Sequence, residues 1–418
     1  MFTKLNKIYQ EFPGKFWIVV LVSFIDSLGS HLLFPFFSLY ITQKFNIGMT
    51  QAGIILGIYS AFGLIGGMVG GALTDRFGRR QLILFGLVFS ALSSLSLGLA
   101  NSLAILYPLS IVIGFLSNID GPAYDAMVAD LLPEKQRSEG YGVLRVANNL
   151  AWIIGPAVGG LVAARSFFML FVIDSVLSCF IAVIFYKFIS ETKPATLPDK
   201  NHETIWQTAA GYRQVLRDLA FMAFLVASLL MLMVYTQLYN TLPVYLRNSH
   251  GFSAAAYGFM LTSMAVLVVL LQFWVTRISK GRPPFIMMAL GTALYAIGFG
   301  MLGFISAYGL FIVAALIITF GEMIVVPTSQ ALAANFAPPD MRGRYMAVYG
   351  LSADIPTTLG PGLAGLILDN FNPNLLWYVG GALCIVSALC FYALHHRLGS
   401  QKRFVSTAGK DLPADPVT

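Results

Sequence analysis

Three acids stand where an acid is costly. Asp26, Glu322 and Asp354 each lie inside a long apolar run, about ten residues or more from its ends. A charged carboxyl at bilayer depth costs several kcal/mol on some scales, so an acid kept there is a functional candidate. The chemistry that fits is proton coupling, because a carboxyl alternates between a neutral and a charged form. Glu322, within Gly321-Glu322-Met323, ranks first, Asp26 second and Asp354 third. A structural polar contact between helices is the alternative for each.

Further polar groups fall in or beside apolar runs. Asp120, Asp125 and Asp130 follow one another at i, i+5, about 140° apart on a helix, so they do not share a face. Arg145 follows in the next run and is suited to pair with Asp120 or Asp125. Tyr235, Gln237, Tyr239 and Asn240 form an amphipathic set. With Phe34, Phe37, Tyr40, Arg145 and Asn149 they make a candidate cavity for a large, partly polar substrate. Aromatic and methionine-rich walls re-pack easily and suit promiscuous binding. Lipid-facing aromatics are the competing explanation.

The elements that must hold these residues are membrane helices. The chain is 57% hydrophobic and 11% charged, against about 25% charged in soluble domains, and its mean hydropathy is +0.75. About twelve apolar runs reach the roughly 20 residues that cross a bilayer. They lie near 16–41, 51–74, 81–99, 102–128, 140–164 and 167–188, then 219–246, 254–278, 285–304, 308–335, 345–369 and 375–394. The first carries Asp26 and leads straight into the second, so it reads as a span rather than a cleaved leader. Arg76, Arg79, Arg80, Lys135, Arg137, Arg277, Lys280, Arg282, Arg342 and Arg344 all fall on one side of this topology. Lys44, Arg165 and Arg247 fall on the other. The positive-inside rule then makes both termini cytoplasmic. The net charge of +7 follows from this topology and from anionic lipid at the inner leaflet. It gives no reason to invoke nucleic acid.

The sequence repeats itself. Pro122, Pro133, Arg137, Gly155-Pro156 and Gly160-Leu161 recur 205 residues later as Pro327, Pro338, Arg342, Gly360-Pro361 and Gly365-Leu366. Tyr40 and Gly53 recur as Tyr245 and Gly258. A fixed offset is the trace of duplicated six-helix halves related by an axis along the membrane normal. The expected organisation is a first half at 1–189, a cytoplasmic linker at 190–218, a second half at 219–395 and a tail at 396–418. Ile205, Trp206, Ala209 and Tyr212 suggest an interfacial turn in the linker.

One stretch carries a resemblance. Gly71-Ala72-Leu73-Thr74-Asp75-Arg76-Phe77-Gly78-Arg79-Arg80 joins the second and third runs and resembles the loop signature of the major facilitator superfamily. Gly71 and Gly78 permit close approach and a turn, Asp75 is suited to cap a neighbouring helix, and the arginines mark the cytoplasmic side. Asp130 resembles the family's acidic partner for the Arg79 position, so Asp75, Arg79 and Asp130 are expected to form an inner gate. Gly155-Pro156-Ala157-Val158-Gly159-Gly160 is similar to the signature of the drug:proton antiporter branch. Its proline bends a helix and its glycines give a flat packing face. Two departures matter: Ser117 stands where the branch often has an intramembrane arginine, and its duplicate is Glu322. Near Trp274–Arg282 no acid matches Asp75.

The resemblance implies an all-α membrane protein, twelve helices in two pseudo-symmetric six-helix bundles, in a bacterial inner membrane. The implied activity is proton-coupled export of lipophilic, often cationic compounds by alternating access. Substrate would sit near the midplane, contacting spans 1, 4, 5, 7, 10 and 11. Protons, small lipophilic substrates and membrane lipids are the expected partners of a monomer, with the proton gradient in place of a cofactor. A lipid or lysolipid flippase and a sugar or metabolite carrier are alternatives on the same fold. A non-transporting sensor is disfavoured because no soluble signalling domain is found. An enzyme is disfavoured because no nucleophile or metal motif is found. Gly298-Phe-Gly300-Met-Leu-Gly303 lacks the strand that a dinucleotide site needs. Cys179, Cys384 and Cys390 lack metal-ligand spacing, and His31 reads as helix packing. No phosphate-binding loop points to ATP. Gly63, Gly67 and Gly71 read as a packing ridge.

Overall fold

The computed structural model describes residues 11–193, 212–338 and 341–399. Residues 1–10, most of the linker including Ile205, Trp206 and Ala209, and the tail from 400 lie outside the described residues. Every regular element among the described residues is a helix.

Among the described residues, eleven helices are long and apolar enough to cross a membrane. They are span 1 (Gly14–Lys44), span 2 (Met49–Phe77), span 3 (Arg79–Leu99), span 4 (Leu103–Leu131), span 5 (Glu134–Ala163) and span 6 (Phe167–Phe188). Then come span 7 (Leu219–Asn240), span 8 (Ala254–Ser279), span 9 (Pro284–Leu302), span 10 (Tyr308–Phe336) and span 12 (Leu375–Leu398). Span 11 (Arg342–Asn370) has 29 residues, about 43 Å at the α-helical rise. Ser352, Asp354, Thr357 and Thr358 interrupt its apolar stretch and set it apart from those eleven.

Three spans expected to be continuous are interrupted. Span 1 tightens into a 3-10 turn at Phe34–Phe36 around Pro35, as proline's missing N–H and ring clash require. Span 7 ends its first helix at Tyr235, and a short helix, Leu242–His250, follows Asn240. Span 4 is two helices, Leu103–Ser117 and Gly121–Leu131. Pro122 supplies no N–H for the carbonyl of Asn118 and starts a new helix. Its duplicate Pro327 lies inside the uninterrupted span 10, so the repeat does not copy the break.

Two compact units form. One is Met1–Asp199 with Tyr239–Thr262; the other is Lys200–Leu238 with Ser263–Thr418. In the first, span 1 packs on spans 5 and 6, span 3 on span 6 and span 2 on span 4. Glycines set the span 2 contact: a Cβ at Gly66 or Gly70 would collide with the backbone of Phe115 or Ile119. A Cβ at Gly71 would meet nothing within 4 Å. Gly63 and Gly67 of the expected ridge also face span 4, a Cβ at Gly67 meeting the Asn118 side chain at 3.0 Å, so the expectation fails only at Gly71. In the second unit, span 9 packs on spans 10 and 12, and span 7 on spans 11 and 12.

Candidate functional site

The first unit encloses a cavity of about 270 Å³ at membrane depth. Its chemistry comes from Asp26 on span 1, Asp120 at the break in span 4 and Asp174 on span 6. Asp120 and Asp174 both lie within electrostatic reach of Asp26. Local sequence makes the room: a Cβ at Gly86 would overlap the Asp120 carboxyl, and one at Gly29 the Asp174 carboxyl. Ser94 donates a hydrogen bond to Asp174. Ser93 also lines the cavity, is 7% exposed and leaves its hydroxyl without a partner. Tyr59 is hydrogen-bonded to Ser117, and both face the cavity. No lysine or arginine lines it. His31 does, and it packs its ring on Trp152 at 4.1 Å between centroids. These groups present carboxyl and hydroxyl oxygens to whatever enters.

Asp174 was not singled out by the sequence reading because it lies nearer the start of its apolar run, 167–188, than Asp26 does to either end of its own. Asp120 faces the cavity, and no ion pair joins Arg145 to Asp120 or Asp125. That corrects the expected pairing. Asp120 points inward because the helix break turns it toward span 3, while Arg145 lies exposed on span 5. Asp125 is engaged through its backbone carbonyl, by the Tyr141 hydroxyl at 2.9 Å.

The expected substrate residues separate. Phe34 and Phe37 line the acidic cavity, and Asn149 is exposed on span 5. Tyr239 packs on Trp152 at 5.2 Å, and Asn240 is buried. In the second unit Tyr235 stacks on Tyr295 at 5.4 Å and hydrogen-bonds Glu322. Gln237 turns back to the Met233 carbonyl at 2.9 Å. Asp354 is half-buried, and its carbonyl accepts the Thr357 hydroxyl at 3.0 Å.

At the turn between spans 2 and 3, Arg79 is buried and its Nε meets Asp130 at 3.0 Å. Asp75 is exposed and 3.9 Å from the other end of that guanidinium. The helix N-terminus in this corner, that of span 3, is capped by Glu191. Its carboxylate accepts the N–H groups of Arg79 (2.9 Å) and Arg80 (3.1 Å). Asp75 does not take that place because it is still within span 2, one turn before Gly78. Gly78, at φ 93°, is in the region that favours glycine. Arg76 lies over Phe77 and gives its carbonyl to Lys193 at 3.1 Å.

In span 5 the glycines pack in two directions. A Cβ at Gly155 or Gly159 would strike the backbone of His31 or Leu32. One at Gly160 would press on Ala254 and Gly258. Pro156 lies between them inside the helix.

The chain belongs to the Major Facilitator Superfamily, whose profile matches residues 19–361 and 287–415. It is 28% identical over 392 residues to a Na(+), Li(+), K(+)/H(+) antiporter of Planococcus maritimus, covering 87% of this chain and 92% of that protein. It is 24% identical over 396 residues to the multidrug resistance protein MdtH of Shigella dysenteriae serotype 1 (strain Sd197), covering 93% and 95%. Among solved structures, a POT family transporter in complex with 5-aminolevulinic acid shares the fold at TM-score 0.77 and 17% identity, covering 92% of this chain and 96% of that one. The protein is a multi-pass membrane transporter with the twelve-helix fold of this superfamily.

Proposed function

We propose that the chain is a proton-coupled antiporter that exports lipophilic cations across a bacterial inner membrane, with both termini cytoplasmic. One observation carries this reading: Asp26, Asp120 and Asp174 line a single cavity that no lysine or arginine lines. Three carboxyls at membrane depth need compensating positive charge, because leaving a buried charge unpaired costs several kcal/mol. Protons can supply it, and so can a cationic substrate. Occupancy by one then opposes occupancy by the other, which is the exchange rule of an antiporter. Phe34 and Phe37 give the cavity an apolar wall, and Glu322 with Tyr235 supplies a second proton-carrying group in the other unit.

A second reading keeps the exchange and changes the cargo to a small inorganic cation. The hydroxyls of Ser93, Ser94, Ser117 and Tyr59 beside the acids favour it, as does the cation/proton activity that the Planococcus relative's name states.

Proteoliposomes with an imposed proton gradient test both. Movement of a fluorescent lipophilic cation, lost in Asp26→Asn and Glu322→Gln, supports the first reading. Movement of sodium or potassium alone supports the second. Transport of neither by folded protein overturns the exchange scheme.

A further inference from the structure

We infer that the first unit carries a binding site for a phosphate-bearing anion on the face opposite the Asp75–Arg80 turn. A pocket of about 290 Å³ lies there, lined by Arg165 from the connection between spans 5 and 6 and Arg247 from the short helix after span 7. Gln43, Ser166 and Ser253 add polar groups, and no acid lines it. These two arginines are two of only three cations that the topology puts on this side, and the chain places them around one hollow.

The helices add to the charge. Phe167 and Ala254, the first residues of spans 6 and 8, both line the pocket. The first-turn N–H groups of both long helices therefore adjoin it, with the positive end of each dipole. Ser166 makes no side-chain cap bond, leaving the span 6 terminus open to an outside acceptor. At span 8, Ser253 Oγ accepts the Ala256 N–H at 3.2 Å.

Arg247 is fixed before any ligand arrives. It donates to the Leu39 carbonyl at 3.2 Å, the Thr42 hydroxyl at 3.1 Å and the Asn248 side chain at 2.9 Å. The rest of its five-donor fork is left for the pocket. Gly251, at φ 69°, ends the short helix and lets the chain turn toward Ser253. Among the described residues Arg165 makes no side-chain hydrogen bond or ion pair, so its guanidinium is available to close on a ligand. Guanidinium groups match the geometry of phosphate oxygens. The ligand is then either the headgroup of an anionic phospholipid in the adjoining leaflet or a free phosphate.

The site is independent of the cavity that binds cargo. Its test uses full-length protein in neutral detergent. Retained phosphatidylglycerol is counted by native mass spectrometry, and the thermal midpoint is measured against inorganic phosphate. Arg165→Gln is the principal variant, because Arg247→Gln also cuts contacts to span 1; Arg282→Gln, on the other face, is the control. Expected is about fivefold weaker phosphatidylglycerol retention in Arg165→Gln, with Arg282→Gln like wild type. An Arg165-dependent shift with inorganic phosphate and no lipid effect assigns the site to a free anion. Equal lipid retention in wild type and Arg165→Gln, with no Arg165-dependent phosphate shift, overturns the proposal.

Discussion

Glu191 and Arg80 cap each other's helices. The Glu191 carboxylate accepts the first N–H groups of span 3, from Arg79 at 2.9 Å and Arg80 at 3.1 Å. Arg80 in turn donates to the Ile189 carbonyl at 2.6 Å and the Tyr186 carbonyl at 2.8 Å, at the end of span 6. Each charge stands at the helix end whose dipole favours it. The Thr192 hydroxyl adds a bond to Asp130 at 3.2 Å, so the start of the linker is tied to the ion pair of Arg79.

This corner makes stability depend on pH. Partial burial pushes the Glu191 pKa up, but the N–H groups of Lys193, Arg79, Thr192 and Arg80 outweigh that and hold it below its ordinary 4.5. The stabilisation is therefore fully present above about pH 4.5 and disappears as pH falls through the lower folded value. Glu191→Gln should cost about 0.5–1 kcal/mol at neutral pH, the low end for a helix cap because the carboxylate is exposed. Thermal unfolding across pH should show the difference shrinking in acid; a difference that grows there would contradict the assignment.

Gly70→Ala and Gly71→Ala should differ in sign. A methyl at Gly70 strikes the Ile119 backbone, and overpacking of this kind costs about 1–3 kcal/mol. At Gly71 nothing stands within 4 Å, so alanine should be neutral or stabilise by about 0.4–1 kcal/mol through the unfolded chain. Paired melting curves in detergent decide it, and equal losses at both positions would refute the packing described.

Asp174→Asn should reduce gradient-driven cation transport at least as much as Asp26→Asn, about tenfold or more if a charge-assisted contact is lost. The fold should persist, because an amide can still accept the Ser94 hydrogen bond. Flux in proteoliposomes, normalised to reconstituted protein, is the readout. Wild-type flux in Asp174→Asn would remove that residue from the exchange.

Tyr235→Phe should change the pH profile of transport while Glu322→Gln abolishes its proton dependence. The phenol donates to Glu322, and loss of one such bond to a charged group is worth about 1.5–3 kcal/mol. Flux measured from acid to alkaline pH tests this; identical profiles for wild type and Tyr235→Phe would detach the tyrosine from the proton site.

Much of the architecture was legible because membrane helices announce themselves by length and composition. The 205-residue repeat suggested a second half beginning at 219, whereas the compact units place Tyr239–Thr262 with the first. The Arg79–Asp130 contact was legible from charge and motif. The glycine ridge held at Gly63 and Gly67 and failed at Gly71 for a geometric reason: steps of four overshoot a 3.6-residue turn by about 40° each, so by Gly71 the row has turned off the face where Gly66 and Gly70 meet span 4. Asp120 was misread because its spacing to Asp125 and Asp130 assumed one straight helix. The break before Gly121-Pro122 rotates it away from them, and with that rotation the three-acid cavity became visible only in three dimensions.

That break also makes demands on solvent. With no N–H from Pro122, the Asn118 carbonyl lacks its helical partner halfway through the bilayer, a situation tolerated only against protein or water. Span 2 backs part of the break through Gly70 and Ile119, and the remainder opens where Ser117 and Asp120 line the cavity. Water held in that hollow would serve the break as well as the acids. A resident chain of water would give protons a standing route to the three acids before any cargo arrives.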